Sequence, residues 1–132
     1  SIIMAKDKET VLSDDAFIVS ETDAKGNIIF ANKEFCDVAE YDESELLKSP
    51  HNIVRHQDMP KAAFKDLWAT IQSGEMWQGY VKNRTKSGGY YWVYATVYPY
   101  KNDVGEQCYL SIRRKPSSQD IEEAIALYKT MS

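Results

Sequence analysis

Two extended segments constrain the chain most: Trp77 to Arg84 and Tyr90 to Tyr98, separated by Thr85-Lys86-Ser87-Gly88-Gly89. The paired glycines suit a tight antiparallel hairpin. Alternation along the second segment puts Tyr91, Val93, Ala95 and Val97 on one face, and Trp92, Tyr94, Thr96 and Tyr98 on the other. Both faces are apolar or aromatic, so this strand is expected to be covered on both sides. Pro99 is expected to end it, because proline cannot donate to a ladder.

The rest of the chain supplies partners for that hairpin. Ala16 to Ser20 and Ile28 to Ala31 read as strands on β-branched and aromatic content, joined by turn chemistry at Asp23-Ala24-Lys25-Gly26-Asn27. Asn32 is a helix N-cap candidate ahead of Phe35, Val38 and Ala39. A short helical turn is expected within Asp42 to Leu47. Pro60 to Ser73 carries Phe64, Leu67, Trp68 and Ile71 at i, i+3, i+4 and i+7, a single apolar stripe. Asp58 can cap this helix and Gly74 suits its C-terminal exit. Glu106 to Arg113 is a last strand with Cys108, Leu110 and Ile112 alternating. A final helix follows Pro116, with Ser117 and Asp120 at capping-box spacing.

The expected order is β-β-α-α-loop-α-β-β-β-α. The fold class is α+β: a five-stranded antiparallel sheet with helices on one face, plus a C-terminal helix. Residues 1–14 read as an N-terminal arm or cap, 15–115 as the domain and 116–132 as a connecting helix. A length of 132 residues suits one core.

Composition removes several function classes. The net charge is −4 and no basic block occurs, which argues against nucleic-acid binding. No apolar run approaches the roughly 18 residues of a membrane span, and Ile2-Ile3-Met4 is too short for a signal sequence. Cys36 and Cys108 lack metal or CxxC spacing and read as free thiols of a reducing, cytoplasmic compartment. Nucleotide-loop, zinc-protease and nucleophile-elbow motifs are absent. Both cysteines lie in periodic apolar segments, where an inert thiol is the default, so the chain is not expected to be an enzyme. His51 and His56 do not share a helix face, which argues against a metal site.

What remains is Pro50-His51-Asn52-Ile53-Val54-Arg55-His56-Gln57-Asp58-Met59-Pro60, a dense polar run without amphipathic period. Two explanations fit it: a solvated loop, or one wall of a small-molecule pocket. In the second case it roofs a site backed by the Phe64/Trp68 helix and floored by a sheet bearing Trp77, Tyr91 and Asn83. Arg55 and His56 can donate to carbonyl or phosphate oxygens, and Asp58 can accept from a ring N–H or cap the helix. Asn83 and Asn32 carry amides that match a heterocycle edge, though Asn32 is equally explained as a cap, Arg55 as half of a surface ion pair and Trp68 as core.

The frame Thr22-Asp23-x-x-Gly26-x-Ile28-x-x-Ala31-Asn32-x-x-Phe35, with Tyr41, Glu45-Leu46 and Lys86-x-Gly88-x-Tyr90-Tyr91-Trp92, resembles a PAS sensory domain. Within that family the run from Pro50 to Phe64, with Trp68, Val81-Lys82-Asn83-Arg84 and Ser111-Ile112-Arg113, is similar to the PAS domains of aerotaxis and redox-taxis receptors. The likeness covers roughly residues 15–130. Glu40 and Lys48 depart from it, standing where glycines are common.

The resemblance implies non-covalent FAD held by Asn32, Arg55, His56, Asp58, Phe64, Trp68 and Asn83. His51, Trp77, Tyr91 and Arg113 are further expected contacts. Flavin domains of the LOV branch use a cysteine where this chain has His51, so no thiol adduct is expected. Rearrangement at Asn83 or Arg113 on reduction would pass through the sheet to another signalling domain or chemoreceptor. Trp92, Tyr94, Tyr98, Leu110 and Ile112 would make a sticky outer face. That face, or the N-terminal cap, would form a homodimer contact. A haem- or metabolite-binding sensor and a cofactor-free interaction module are the alternative readings.

Overall fold

A computed structural model describes residues 8–131. The earlier part of the expected N-terminal arm, with Ile2-Ile3-Met4, lies outside the described residues. Five strands, β1 (Ile18–Asp23), β2 (Ile28–Ala31), β3 (Trp77–Arg84), β4 (Tyr90–Lys101) and β5 (Gln107–Arg114), form one sheet in the order β2-β1-β5-β4-β3. Every pairing is antiparallel. Helices α1 (Lys33–Ala39), α2 (Glu43–Leu46) and α3 (Lys61–Gln72) lie between β2 and β3, with a 3-10 turn at His51–Val54. Helix α4 (Ser118–Tyr128) follows β5. The α+β architecture read from the sequence is the one observed.

Local chemistry sets most boundaries. The Asn32 side-chain oxygen accepts from the Phe35 amide at 3.0 Å, capping α1, and the Ser117 hydroxyl accepts from the Asp120 amide at 3.1 Å, capping α4. Asp58 does not cap α3. Pro60 holds the N-cap position, which suits proline because it has no N–H to leave orphaned. At Gly26 φ is +88°, and a side chain there would meet the Trp68 indole at 3.0 Å, so the β1–β2 turn needs glycine twice over.

Two strands differ from expectation. β1 begins at Ile18 and runs to Asp23, because Glu21, Thr22 and Asp23 pair with Leu110, Tyr109 and Cys108 of β5, a partner nearly ninety positions away by sequence number. β4 passes through Pro99 to Lys101. β3 reaches only to the partner of Val97, so beyond that point β4 has an open side, where a missing N–H costs no ladder bond.

The core lies between the inner sheet face and α1–α3. Ile18, Ile28, Phe35, Leu46, Val54, Tyr91 and Val93 are all essentially sealed. The outer face is covered only in part. α4 packs Tyr128 flat against Trp92, ring centroids 6.4 Å apart, and donates its hydroxyl to the Tyr80 carbonyl. Trp92 is thus buried, whereas Tyr98 keeps 39% of its surface and Phe30 keeps 42%. Leu12 of the N-terminal arm is also buried, and the arm bonds Tyr90 through the Lys8 carbonyl and the Thr10 amide.

Candidate functional site

The apolar stripe of α3 does not meet the sheet everywhere. Phe64, Leu67, Trp68 and Ile71 form one wall of a cavity of about 290 Å³, and the inner face of β3, β4 and β5 forms another. The 3-10 turn and the segment after it close a third side with His51, Asn52 and Arg55. The lining is mixed. Leu67, Ile71, Val81, Ala95 and Val97 are apolar, while Thr22, Lys25, His51, Asn52, Arg55, Asn83, Ser111 and Arg113 are polar.

Register brings several of the polar residues together. Ser20 pairs with Ser111 and Ile18 with Arg113, so inward-facing polar residues of β1 and β5 stand side by side. Arg113 donates to the Ser20 hydroxyl at 2.7 Å and to His51 Nε2 at 2.9 Å. Ser20 Oγ and His51 Nε2 are themselves 3.0 Å apart. A guanidinium can only donate, so His51 Nε2 carries no proton and the ring proton sits on Nδ1. Phe35 stacks nearly parallel with the His51 ring, 5.7 Å away, and the Arg113 guanidinium lies 4.4 Å from the Phe35 centroid.

The electrostatics are one-sided. Arg113 is only 2% exposed, and burial lowers its pKa to about 10. Burial, with Arg113 beside it, depresses His51 to about 3, so the imidazole is neutral. Residue 51 keeps some exposed area, as a cavity wall does, although protein surrounds its ring. Arg55 lies 3.8 Å over the Phe64 ring and is also lowered by burial. The Nε atoms of Arg55 and Arg113 are buried without a hydrogen-bond partner among the described residues. Lys25, Arg55 and Arg113 line the cavity, and no carboxylate does so among the described residues.

A family profile described as "PAS fold" matches residues 28–112. The chain belongs to the PAS-fold family. Among curated proteins this PAS chain is 43% identical over 125 residues to the aerotaxis receptor of Escherichia coli (strain K12), covering 95% of the chain and 25% of the receptor. It is 29% identical over 124 residues to the nitrogen fixation regulatory protein of Klebsiella oxytoca, with 92% and 25% covered. It therefore spans about a quarter of the length of the curated relatives it matches. Among solved structures, the dark state of the blue-light photoreceptor Aureochrome1 LOV superposes with a TM-score of 0.72 at 16% identity, covering 86% of this chain and 85% of that one. The Cys71Ser mutant of Vivid gives 0.66 at 14% identity, covering 79% and 84%. At such identities these two speak for the PAS fold alone.

Of the residues singled out by sequence, six line the cavity: His51, Arg55, Phe64, Trp68, Asn83 and Arg113. Five do not. Asn32 spends its side chain on structure, accepting from the Val19 and Phe35 amides and donating to the Phe17 carbonyl. Trp77 folds over Gly79 and donates Nε1 to Asp66 at 3.0 Å, tying β3 to α3. Tyr91 is sealed behind the cavity beside Asn83, and burial pushes its hydroxyl up to about 12. His56 is buried and accepts the Asp58 amide on Nδ1, while Asp58 points outward to Lys82.

Sequence reading missed Thr22, Lys25, Asn52, Tyr109 and Ser111 as lining residues. A signal existed for two of them. If Leu110 and Ile112 face outward, then Tyr109, Ser111 and Arg113 share the inner face. Cys108, on the outward register, and Cys36 of α1 are not cavity residues. Among the described residues no three His, Cys, Asp or Glu side chains cluster as a metal site, and no helix is long and apolar enough to cross a membrane.

Proposed function

We propose that this chain is the sensory PAS domain of a signalling protein, that its cavity takes the ring system of non-covalently bound FAD, and that it reports redox state to an aerotaxis output. The observation that carries the reading is Arg113: a buried cation without a carboxylate partner among the described residues, in a cavity lined by both apolar and polar side chains. A tricyclic ring with hydrocarbon parts and an edge of carbonyl and ring-nitrogen acceptors suits such a mixed lining. The orphaned Nε donors of Arg55 and Arg113 supply what such acceptors require. The volume of about 290 Å³ sits at the lower bound of small-molecule sites, about 300 Å³, so the cavity would hold the ring system, while the exposed lining residues Lys25 and Asn52 would be available to the rest of the cofactor.

The bound flavin supplies the redox couple, and the protein supplies position and field. Arg113 and Asn83 would hold the polar ring edge. His51, fixed as the Nδ1–H tautomer, keeps the Arg113 fork oriented without adding charge. Leu67, Ile71 and Val97 exclude water from the hydrocarbon edge. No lining cysteine among the described residues stands ready for a thiol adduct. A change of charge at the ring edge alters what Arg113 and Asn83 must stabilise. A ligand state biases two conformations only through such differential contacts.

Asn83 and Arg113 sit on strands whose opposite faces carry Lys82 and Ile112, which gives the change a route to the outer face. That face, with exposed Tyr98 and Phe30, and the N-terminal arm are the surfaces we assign to a homodimer or an output domain. On this reading the sensory unit is 15–115, with 1–14 as cap and 116–132 as connector, working in the cytoplasm without catalysis.

The haem alternative is disfavoured by the use of His51 Nε2 as the acceptor for Arg113. The modest volume favours one second reading, a small anionic metabolite in the same cavity. Absorbance and fluorescence of the purified chain, titrated with FAD and then reduced, separate the readings. We expect a flavin spectrum retained through gel filtration and lost in an Arg55→Ala variant with unchanged circular dichroism. A chain that never retains FAD under any of these conditions overturns the proposal.

A further inference from the structure

We propose that Lys82 is a positioning residue for ligand binding: with Asp58 it clasps the 55–59 segment against the free edge of β3 and so holds Arg55 in the cavity wall. The proposal rests on the cavity being a ligand site. β3 is an edge strand, and the polar run travels along it. Arg55 forms an isolated antiparallel bridge with Asn83, the Lys82 amide donates to Met59 Sδ at 3.4 Å, and Arg84 Nε donates to the Ile53 carbonyl at 3.4 Å. These are few and long contacts for a segment that must fix a guanidinium.

The stronger tie is made on the side away from the cavity. Lys82 Nζ donates to Asp58 Oδ2 at 2.7 Å and lies 4.4 Å from the Tyr90 ring centroid. The Tyr90 ring in turn meets the His56 ring edge-on at 6.1 Å. The Lys82 side chain is only 16% exposed, so water screens its end of the pair weakly, whereas the Asp58 side chain is 61% exposed. Neither residue lines the cavity. Asp58 therefore acts on a bound molecule only through the backbone that carries Arg55, three positions earlier. The same holds for His56, whose Nδ1 accepts the Asp58 amide at 3.0 Å and sets the bend between them.

A charge-swap cycle tests this, using D58K, K82D and the double variant D58K/K82D, with K82R as the conservative control. Two quantities are read: the affinity for FAD by fluorescence titration, and hydrogen exchange of residues 55–59 in flavin-free protein. We expect each single reversal to weaken FAD binding about tenfold and to speed exchange of the segment. The swap and K82R should return both to within about threefold of the parent. If D58K/K82D binds FAD no better than the weaker single variant, Asp58 works by direct contact and the clasp is wrong. Exchange that is unchanged in both singles overturns it as well. Should the parent chain not bind FAD at all, exchange alone decides: segments loosened in the singles and restored in the swap uphold the clasp while the flavin reading falls.

Discussion

Lys48 and Glu40 hold left-handed backbone, with φ of 71° and 67°, at the two positions where a glycine would be expected. A side chain in that region costs about 1 kcal/mol relative to glycine. Lys48 is the simple case, and Lys48→Gly is expected to raise unfolding stability by about 1 kcal/mol in urea titration. Glu40 is not. Its carboxylate accepts from the Ser87 amide at 3.0 Å and hydroxyl at 2.6 Å, fastening the β3–β4 turn to the end of α1. Those bonds also lower its pKa. Glu40→Gly should therefore gain nothing or lose stability, because the relieved backbone is offset by two lost charge-assisted bonds.

His51 makes a second residue-scale prediction. Its folded pKa is depressed to about 3 from an ordinary 6.5, chiefly by burial and next by Arg113. Below about pH 6.5 the unfolded chain takes up a proton that the folded chain refuses. The stability tied to the neutral ring is thus complete above that pH and falls as pH drops, by about 1.4 kcal/mol per unit, until about pH 3. A His51→Gln variant lacks this loss. Between pH 7 and pH 5 the flavin-free parent should lose about 2 kcal/mol more than the variant, as urea midpoints at the two pH values would reveal. Equal losses would mean that water reaches the ring.

At the scale of elements, β3 and α3 are joined by one indole. Trp77 lies across Gly79, where an added Cβ would come within 2.5 Å of its ring, and its Nε1 is anchored to Asp66 of α3. The ring cannot give way without breaking that bond. Gly79→Ala is accordingly expected to cost about 2 kcal/mol in chemical denaturation, within the range for overpacked interiors. Adding Trp77→Phe should reduce the penalty, since the smaller ring has no N–H tether; a double variant as unstable as the sum of the two singles would contradict the steric cause.

At the scale of the whole molecule, the proposed site predicts a trade of stability for ligand binding. Arg113 sits among Phe35, a neutral His51 and Ser20, and among the described residues no carboxylate lines the cavity with it. Replacing a desolvated charge by an apolar side chain of similar length is often neutral or stabilising. Arg113→Met should leave the flavin-free thermal midpoint unchanged or raise it, while abolishing the stabilisation that FAD would give the parent on the proposed reading, about 2.7 kcal/mol at a concentration 100 times Kd. A lower midpoint for the flavin-free variant would make Arg113 a fold residue and not a site residue.

Those outcomes bear on how far residues announce their roles. The β3 segment was readable to the residue, since Trp77 and Arg84 are bounded by turn chemistry and a glycine pair. The helix stripe of Phe64, Leu67, Trp68 and Ile71 was equally plain, but a 3.6-residue period cannot say whether a stripe meets a packed sheet or a hollow. Asp58 and Trp77 were legible as polar and aromatic residues near a site, yet one points to Lys82 and the other to Asp66.

By itself the sequence determined what depends on neighbours along the chain: the turn at Gly26, the caps at Asn32 and Ser117, the hairpin and the helix stripe, because backbone preferences and side-chain bonds across three or four residues are local energies. Tertiary structure alone decided that β1 extends to meet β5, that Pro99 lies inside a strand, and that Ser20, His51 and Arg113 converge although Ser20 and Arg113 are 93 positions apart. Those outcomes follow from strand register, a long-range choice fixed by packing both faces of the sheet at once.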